Sequence, residues 1–382
     1  MQPFTQSTHA RCWIFESAEA LAAERAKART AAAERVAAAA AAAGGEAAPP
    51  PLSPEEEALV RQFFERNLQT LCKRENEKDP TRYSRRVAYA AQMYLKRFFL
   101  KASLVEADPK AVMLAALLVA GKVEQERIQI DDVVALGQKG QKLTADELLA
   151  MELKLCQTMS FQLMVGSPYR ALLGYLQDLR EPPDAADEPL PESDIGRLWD
   201  GAYAFIQKAL TSDAPFLFAP QQIALAALLR ADQADLVPVV DAWLDSRFQF
   251  LGAPPPADGA AADGAAAAAP PVAAAAAEAV AGLRQRLAAV HAEVDGVDAQ
   301  GEVDRARLKE IDGRRQAAHA LLKQVKDAES EEEQQARRDH KKAKMEAREA
   351  RSVVAIDGGG TTADDGFVLQ KRQRTDEVKS ER

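Results

Sequence analysis

A stretch without any polar side chain, from Ala111 to Ala120, constrains the fold of this chain more than any other feature. It follows Asp108 and Pro109, a pair typical of a helix start, and the first charge after it is Lys122. A helix that is apolar on every side has to be surrounded by other elements. The stretch therefore predicts the central helix of a bundle.

The same pattern recurs about one domain later. Counted from Pro109 and from Pro220, the two segments share the proline, a β-branched residue, a leucine, an Ala-Ala pair and a Leu-Leu pair at equal spacing. Two alanine-rich helices can coincide through composition alone, but the shared proline favours duplication of a whole unit. The sequence thus predicts two similar bundles, each built around one apolar helix.

Capping boxes mark two further helices of the first bundle. Ser53 is followed by a proline and by Glu56, and Thr144 is followed by Glu147, so each N-cap hydroxyl has an acid three residues later. Apolar residues then recur at spacings of three and four. Five helices fit between residues 54 and 163, and no segment indicates a convincing strand. The predicted fold class is all-α, with two tandem five-helix units and flanking helices at both ends.

Breaks in composition divide the chain into five predicted parts. An N-terminal helix starts after Ser17, and the glycines and prolines that follow it break the helix and form a linker. A run of alanine, glycine and proline within the second unit predicts an insertion or flexible loop at 252–276. The predicted parts are the N-terminal helix and linker (1–52), the first unit (53–166), the second unit (167–296), a charged C-terminal helix (297–351) and a disordered tail (352–382).

Composition excludes several classes of protein. The net charge of -9 argues against a nucleic-acid-binding surface, which needs a basic face, and favours a protein partner. Three widely spaced cysteines and four scattered histidines predict neither a disulfide framework nor a metal site. The chain starts without a secretory signal pattern, and its most apolar run is about half the length of a membrane span. We expect a soluble intracellular protein without membrane contact.

No catalytic motif is present. The sequence contains no G-x-S-x-G, no H-E-x-x-H and no P-loop. The run Gly358 to Thr362 lies in a polar tail and lacks the strand and helix that a phosphate-binding loop needs. We therefore expect a protein that is not an enzyme and that carries no cofactor.

Two motifs of the first unit resemble those of the cyclin family. Tyr94-Leu95-Lys96-Arg97-Phe98-Phe99 resembles the Y-x-x-R-F signature of the second helix of a cyclin box. Ala120-Gly121-Lys122-Val123-Glu124 resembles the A-x-K-x-E ending of the third. The resemblance covers roughly residues 54–250 and implies two cyclin boxes. The resemblance also implies the function of the family, which is to bind and activate a cyclin-dependent kinase.

The flanking segments resemble those cyclins that serve the CDK-activating kinase. Three segments carry this resemblance: Arg11 to Phe15, Met164 to Arg170 and Thr211 to Leu225. It implies a cyclin-dependent kinase catalytic subunit as partner, together with a RING-finger assembly factor and the core of transcription factor IIH, and it implies action in the nucleus. The alternatives are a cyclin of the Mediator kinase and, from another class, a DNA-binding double cyclin fold like transcription factor IIB.

The cyclin resemblance also implies a kinase-binding site. Its paired charges fall on Lys122 and Glu152, which in the family meet each other and hydrogen-bond to kinase backbone. The alternative is a lysine that reaches water at a helix end and an unrelated surface glutamate. The family's apolar contact positions fall on Val123, Leu149, Cys156, Phe161 and Leu163, each of which taken alone is typical of a core residue.

The aromatic segment near the start has two interpretations. Trp13, Ile14 and Phe15 precede the N-terminal helix. By resemblance to the family, they would pack on the second box, and a kinase contact would be an additional role.

Overall fold

The computed structural model describes residues 4–43, 48–137, 143–181, 189–233, 239–251, 271–299 and 304–357, and every regular element within these ranges is helical. The chain divides into two units, Met1–Leu322 and Lys323–Arg382. The predicted all-α fold class is confirmed. None of the described helices is both long enough and apolar enough to cross a membrane.

Two helices precede the first bundle. A single 3₁₀ turn at Phe4–Gln6 leads into α1 (Thr8–Trp13), and α2 (Ala18–Ala42) follows. The Ser17 hydroxyl accepts a hydrogen bond from the backbone N–H of Ala20, which caps α2 as predicted.

The described residues of the first bundle form five helices, as predicted. Ser53 with Glu56, and Thr144 with Glu147, form the two reciprocal capping boxes that the sequence indicates. The helices are α3 (Pro54–Lys78), α4 (Arg85–Lys101), α5 (Pro109–Val123), α6 (Ile130–Gly137) and α7 (Ala145–Thr158).

Helix α5 is the central helix of this bundle. Every residue from Ala111 to Gly121 is buried, and α5 packs against α3, α4, α6 and α7. Each fully buried leucine or valine stabilises the fold by about 1.5–3 kcal/mol, so this helix supplies much of the core. A side chain at Gly121 would collide with Ile128, so only glycine lets the chain after α5 fold back so closely.

The second bundle repeats this arrangement. Residues 223–229 of its apolar helix are all buried, and that helix packs against its neighbours on several sides. The predicted duplication of a central apolar helix is therefore confirmed. The helices are α8 (Pro168–Arg180), α9 (Glu192–Ala209), the short α10 (Ala214–Leu217), the central α11 (Pro220–Gln233), α12 (Val239–Leu251) and α13 (Pro271–Ala299).

Two predicted boundaries differ from the structure. Helix α13 begins at Pro271, inside the predicted insertion, because proline is suited to the first helical position and the alanines after it favour helix. Residues 252–270 of that insertion lie outside the described residues. Helix α14 (Arg305–Asp357) continues past the predicted start of the tail at 352, because neither glycine nor proline occurs between residues 314 and 357. Residues 358–382 also lie outside the described part.

The first turns of α14 pack on the first bundle. Leu308 and Ile311 belong to its core. A ring nitrogen of His319 lies 2.9 Å from the carbonyl oxygen of Val105. The first turns of the charged C-terminal helix are therefore packed against the first bundle.

Partly buried ion pairs connect α2 with both bundles. Arg29 of α2 lies 3.4 Å from the carboxylate of Glu57 in α3. Arg25 of α2 donates two hydrogen bonds of 2.5 Å to the carboxylate of Asp213, just before α10. These contacts hold α2 against both bundles.

Candidate functional site

Lys122 and Glu152 meet at the surface of the first bundle. Lys122 lies in the last turn of α5 and Glu152 in the middle of α7. The Lys122 Nζ lies 2.6 and 2.7 Å from the two carboxylate oxygens of Glu152. The structure thus brings together two residues that are 30 positions apart in sequence.

The exposure of this pair excludes a mainly stabilising role. The side chain of Lys122 is 54% exposed and that of Glu152 is 19% exposed. A surface ion pair of this kind typically contributes at most about 1 kcal/mol to folding. The glutamate is not an unrelated surface residue, and the lysine keeps N–H groups that can reach a partner.

Large apolar side chains are exposed around the pair. Val123, Leu149 and Phe161 are 37%, 45% and 62% exposed, and Leu163 is partly buried. Apolar side chains of this size are usually buried, so their exposure makes these residues candidates for a contact with a partner.

Cys156 differs from the other predicted contact residues. It belongs to the hydrophobic core of the first bundle, and burial raises the pKa of its thiol. Its position on the inner side of α7, next to the fully buried Leu155, explains this burial. The Cys156 side chain therefore packs in the core under the exposed residues and is not itself exposed to a partner.

The structure adds two residues that sequence reasoning missed. Leu153 and Met164 are 54% and 59% exposed. Leu153 lies four residues after Leu149, on the same side of α7, and this spacing was a signal that could have identified it. We call Lys122, Glu152 and the exposed apolar residues Val123, Leu149, Leu153, Phe161 and Met164 the α5–α7 surface.

Phe161 is presented by an unusual backbone conformation. Ser160 and Phe161 both have positive φ values, 51° and 56°. The backbone N–H of Phe161 donates a 2.8 Å hydrogen bond to the carbonyl of Cys156, which closes the end of α7. For residues other than glycine this conformation costs about 1–2 kcal/mol, and such strain concentrates at functional sites.

The Y-x-x-R motif holds the segment that follows Phe161. The Tyr94 hydroxyl donates a 2.7 Å hydrogen bond to the carbonyl of Leu163. One nitrogen of Arg97 donates to the carbonyls of Gln162 and Met164, at 2.9 and 3.0 Å. Arg97 is fully buried, and burial lowers its pKa to about 10. These two motif residues therefore fix the position of the α5–α7 surface.

The N-terminal residues Trp13, Ile14 and Phe15 lie between the two bundles, and Phe15 packs edge-on against Phe216 of α10. Trp13 is buried in the core of the first bundle, and its ring lies 4.7 Å from the Arg97 guanidinium. The backbone N–H of Phe15 donates a 2.7 Å hydrogen bond to the carbonyl of Phe216, and Ile14 is partly buried between them. The predicted packing on the second box is wrong for Trp13, because the indole covers the buried arginine of α4.

Comparison with known proteins matches two family models. The first, "Cyclin, N-terminal domain", covers residues 78–164, and the second, "Cyclin C-terminal domain", covers residues 167–264. The central helices α5 and α11 each fall within one of these matches. Both bundles are therefore similar to domains of the cyclin family.

Within that family, the similarity is to the cyclin H branch. The chain is 30% identical over 178 residues to Cyclin-H1-1 of Arabidopsis thaliana, which covers 46% of this chain and 49% of the relative. It is 34% identical over 179 residues to Cyclin-H of Xenopus laevis, with coverages of 46% and 52%. The chain thus spans about half the length of these curated relatives.

A solved structure shares the fold. A chain in the structure of the CAK complex from Chaetomium thermophilum bound to ATP-gamma-S superimposes with a TM-score of 0.65. The match covers 86% of this chain and 94% of that chain, at 22% identity. This similarity supports the arrangement of helices described above.

Proposed function

We propose that this chain is a regulatory subunit that binds and activates a cyclin-dependent kinase through the α5–α7 surface. The observation that carries the proposal is the Lys122–Glu152 pair, held rigidly at the edge of exposed apolar side chains. The chain itself would take no part in the chemistry of phosphoryl transfer.

The physical requirement for such activation is a rigid face. A protein kinase is active only when its αC helix places a glutamate beside the lysine that holds the ATP phosphates. A partner that binds this helix in only one of its two positions shifts the kinase toward the active state. Val123, Leu149 and Phe161 would bury the apolar side of that helix, and Lys122 and Glu152 would hydrogen-bond to its backbone.

The complex is proposed from the cyclin H similarity. The kinase would be the catalytic subunit of a CDK-activating kinase, and a RING-finger assembly factor would be the third subunit. Association with the core of transcription factor IIH would place the complex in the nucleus. Its substrates would be the activation loops of other cyclin-dependent kinases and the C-terminal repeat of RNA polymerase II.

Charge reversal at Lys122 tests the kinase interface. Lys122→Glu should leave the helical content unchanged and weaken binding of the purified kinase by about 10- to 100-fold, because a charge-assisted contact contributes about 1.5–3 kcal/mol. Lys309→Glu is the matched control, since Lys309 is an exposed lysine of α14. The swapped variant, Lys122→Glu with Glu152→Lys, restores the internal pair. Full recovery of binding by the swap would overturn the proposed contact with the kinase.

Co-purification separates the proposed complex from the alternatives. Recovery of transcription factor IIH subunits with the tagged chain supports the CDK-activating assignment, whereas recovery of Mediator subunits supports the alternative cyclin class. DNA binding that falls steeply with salt, in the absence of any kinase, would favour a fold of the transcription factor IIB type.

A further inference from the structure

A groove separates α3 and α4 of the first bundle from α8 and α9 of the second. Its volume is ≈ 630 Å³. This value lies within the range of about 300–1,000 Å³ that is usual for ligand sites. Its lining includes Tyr83, Tyr89, Tyr169 and Tyr203, four of the six tyrosines in the chain. It contains no residue of the α5–α7 surface. We call it the inter-bundle groove.

Three tyrosines of the groove form an aromatic wall in which Tyr89 and Tyr169 are buried and Tyr203 is partly exposed. The ring centroids of Tyr89 and Tyr169 lie 6.0 Å apart, and those of Tyr169 and Tyr203 lie 5.6 Å apart. The guanidinium of Arg85 extends this wall, at 4.8 Å from the ring of Trp199. Aromatic faces held in this way can bind flat apolar groups, proline rings among them, with little loss of side-chain entropy.

Gln92 at the base of the groove has an unused hydrogen-bond acceptor. The residue is only 1% exposed. Its Nε2 lies 3.5 Å from the carbonyl of Leu210, while its Oε1 is buried and has no partner among the described residues. Buried polar atoms are nearly always paired, and an unpaired one costs about 1–3 kcal/mol. The groove therefore offers an acceptor for an N–H group of a bound molecule.

The charge of the groove is opposite to that of the chain as a whole. Lys73 and Arg85 line it and have no carboxylate partner among the described residues, although the Arg85 guanidinium lies over the rings of Trp199 and Tyr203. Glu77 is the single acid of the lining. The chain has a net charge of -9, so a basic groove is a local exception. Lys73 and Arg85 are two positive charges that no carboxylate of the described residues neutralises, and they favour an acidic ligand.

We propose that the inter-bundle groove binds an acidic, proline-containing segment of a partner protein in an extended conformation. A proline of the segment stacks on the partly exposed ring of Tyr203, and acidic side chains pair with Lys73 and Arg85. A backbone N–H of the segment donates to the Oε1 of Gln92. This site is separate from the kinase surface and does not depend on the proposed function.

Fluorescence polarisation with the full-length chain tests this proposal. The probe is a labelled peptide of three EPPD repeats, compared with a KPPK peptide and with an EAAD peptide that lacks proline. Arg85→Glu and Tyr203→Ala should each weaken binding of the EPPD peptide by about tenfold or more. Arg127→Glu and Leu173→Ala, which change exposed residues outside the groove, should leave that binding unchanged.

Gln92→Met separates ligand recognition from folding. The substitution removes the unpaired acceptor at similar volume, so it should weaken peptide binding while the melting temperature of the free chain stays equal or rises. Circular dichroism of each variant checks that the helices remain.

Three results would overturn the proposal. The first is equal binding of the EPPD peptide to the chain and to the Arg85→Glu variant. The second is equal or tighter binding of the KPPK or EAAD peptide. The third is saturable binding of single-stranded oligouridylate that Arg85→Glu and Tyr203→Ala both abolish while the EPPD peptide does not bind, which would identify nucleic acid as the ligand of the groove.

Discussion

The guanidinium of Arg97 lies 4.7 Å from the centroid of the Trp13 indole ring. This contact joins a residue near the start of the chain to the arginine that holds the carbonyls of Gln162 and Met164. The N-terminal segment therefore covers the buried residue that positions the α5–α7 surface, although it lies far from that surface in sequence.

Trp13→Ala should destabilise the chain strongly. The indole is 2% exposed, and removal of a buried tryptophan side chain typically costs about 3–5 kcal/mol. Guanidinium unfolding followed by circular dichroism measures the loss, and kinase affinity should fall with it because Arg97 is left uncovered. Trp13→Phe is the matched control. It keeps an aromatic face over Arg97, and the lost indole N–H has no hydrogen-bond partner among the described residues, so the loss should be much smaller. Equal losses for both variants would contradict this role of the ring.

Phe161→Gly should change stability and binding in opposite directions. Glycine adopts a φ of 56° without strain, so the free energy of unfolding should rise by up to about 1 kcal/mol. The exposed ring is lost, so kinase affinity should fall about tenfold or more. Ser160→Gly is the control, because it relieves the same kind of strain at φ 51° and keeps the ring. Its stability should rise while its affinity stays constant, and reduced affinity of this control would show that the backbone, and not the ring, governs binding.

Leu153→Ala and Met164→Ala should each weaken kinase binding by about 5- to 30-fold. Both side chains are more than half exposed, so they contribute little to the core and the unfolding midpoint should shift only slightly. Titration of each variant with the purified kinase measures the effect. Leu173→Ala provides the comparison, since Leu173 is a 57% exposed leucine on α8, outside the α5–α7 surface. If all three variants bind equally well, the two added residues are not part of the interface.

The carboxyl of Asp213 should make stability depend on acid. Burial disfavours its ionised form, but the hydrogen bonds and charge of Arg25 outweigh burial, with further help from Lys96 and Arg61, and lower its pKa to about 2. A carboxyl with a lowered pKa stabilises the fold above its ordinary value near 3.8, and this contribution disappears as the pH falls toward 2. The stability advantage of the native chain over Asp213→Asn should therefore shrink between pH 5 and pH 2 in urea unfolding.

Glu293 supplies a contrast of opposite sign. Burial raises the pKa of its carboxyl, so protonation favours the folded state, and its contribution to stability rises as the pH falls through that raised pKa. The difference between the native chain and Glu293→Gln should thus grow in favour of the native chain on mild acidification. Parallel pH profiles for the two variants would contradict the assignment of these shifts.

Part of the candidate site was predictable from sequence because the motifs lie on helices with clear signals. The proline start and apolar run of α5 fix where Lys122 emerges, and the capping box at Thr144 sets the register of Glu152. Exposure was harder to predict. Leu153 and Cys156 are both small or medium apolar residues of one helix, and only packing decides that the first faces solvent and the second faces the core.

The sequence by itself determined the helices and the duplication, because caps, prolines and apolar periodicity act over a few neighbouring residues. Only the tertiary structure decided that Trp13 covers Arg97, that Ser160 and Phe161 adopt positive φ values, and that four tyrosines line one groove. These features depend on contacts between residues that are distant in the chain. Their energies come from close packing and from charge pairs that form only after the helices assemble.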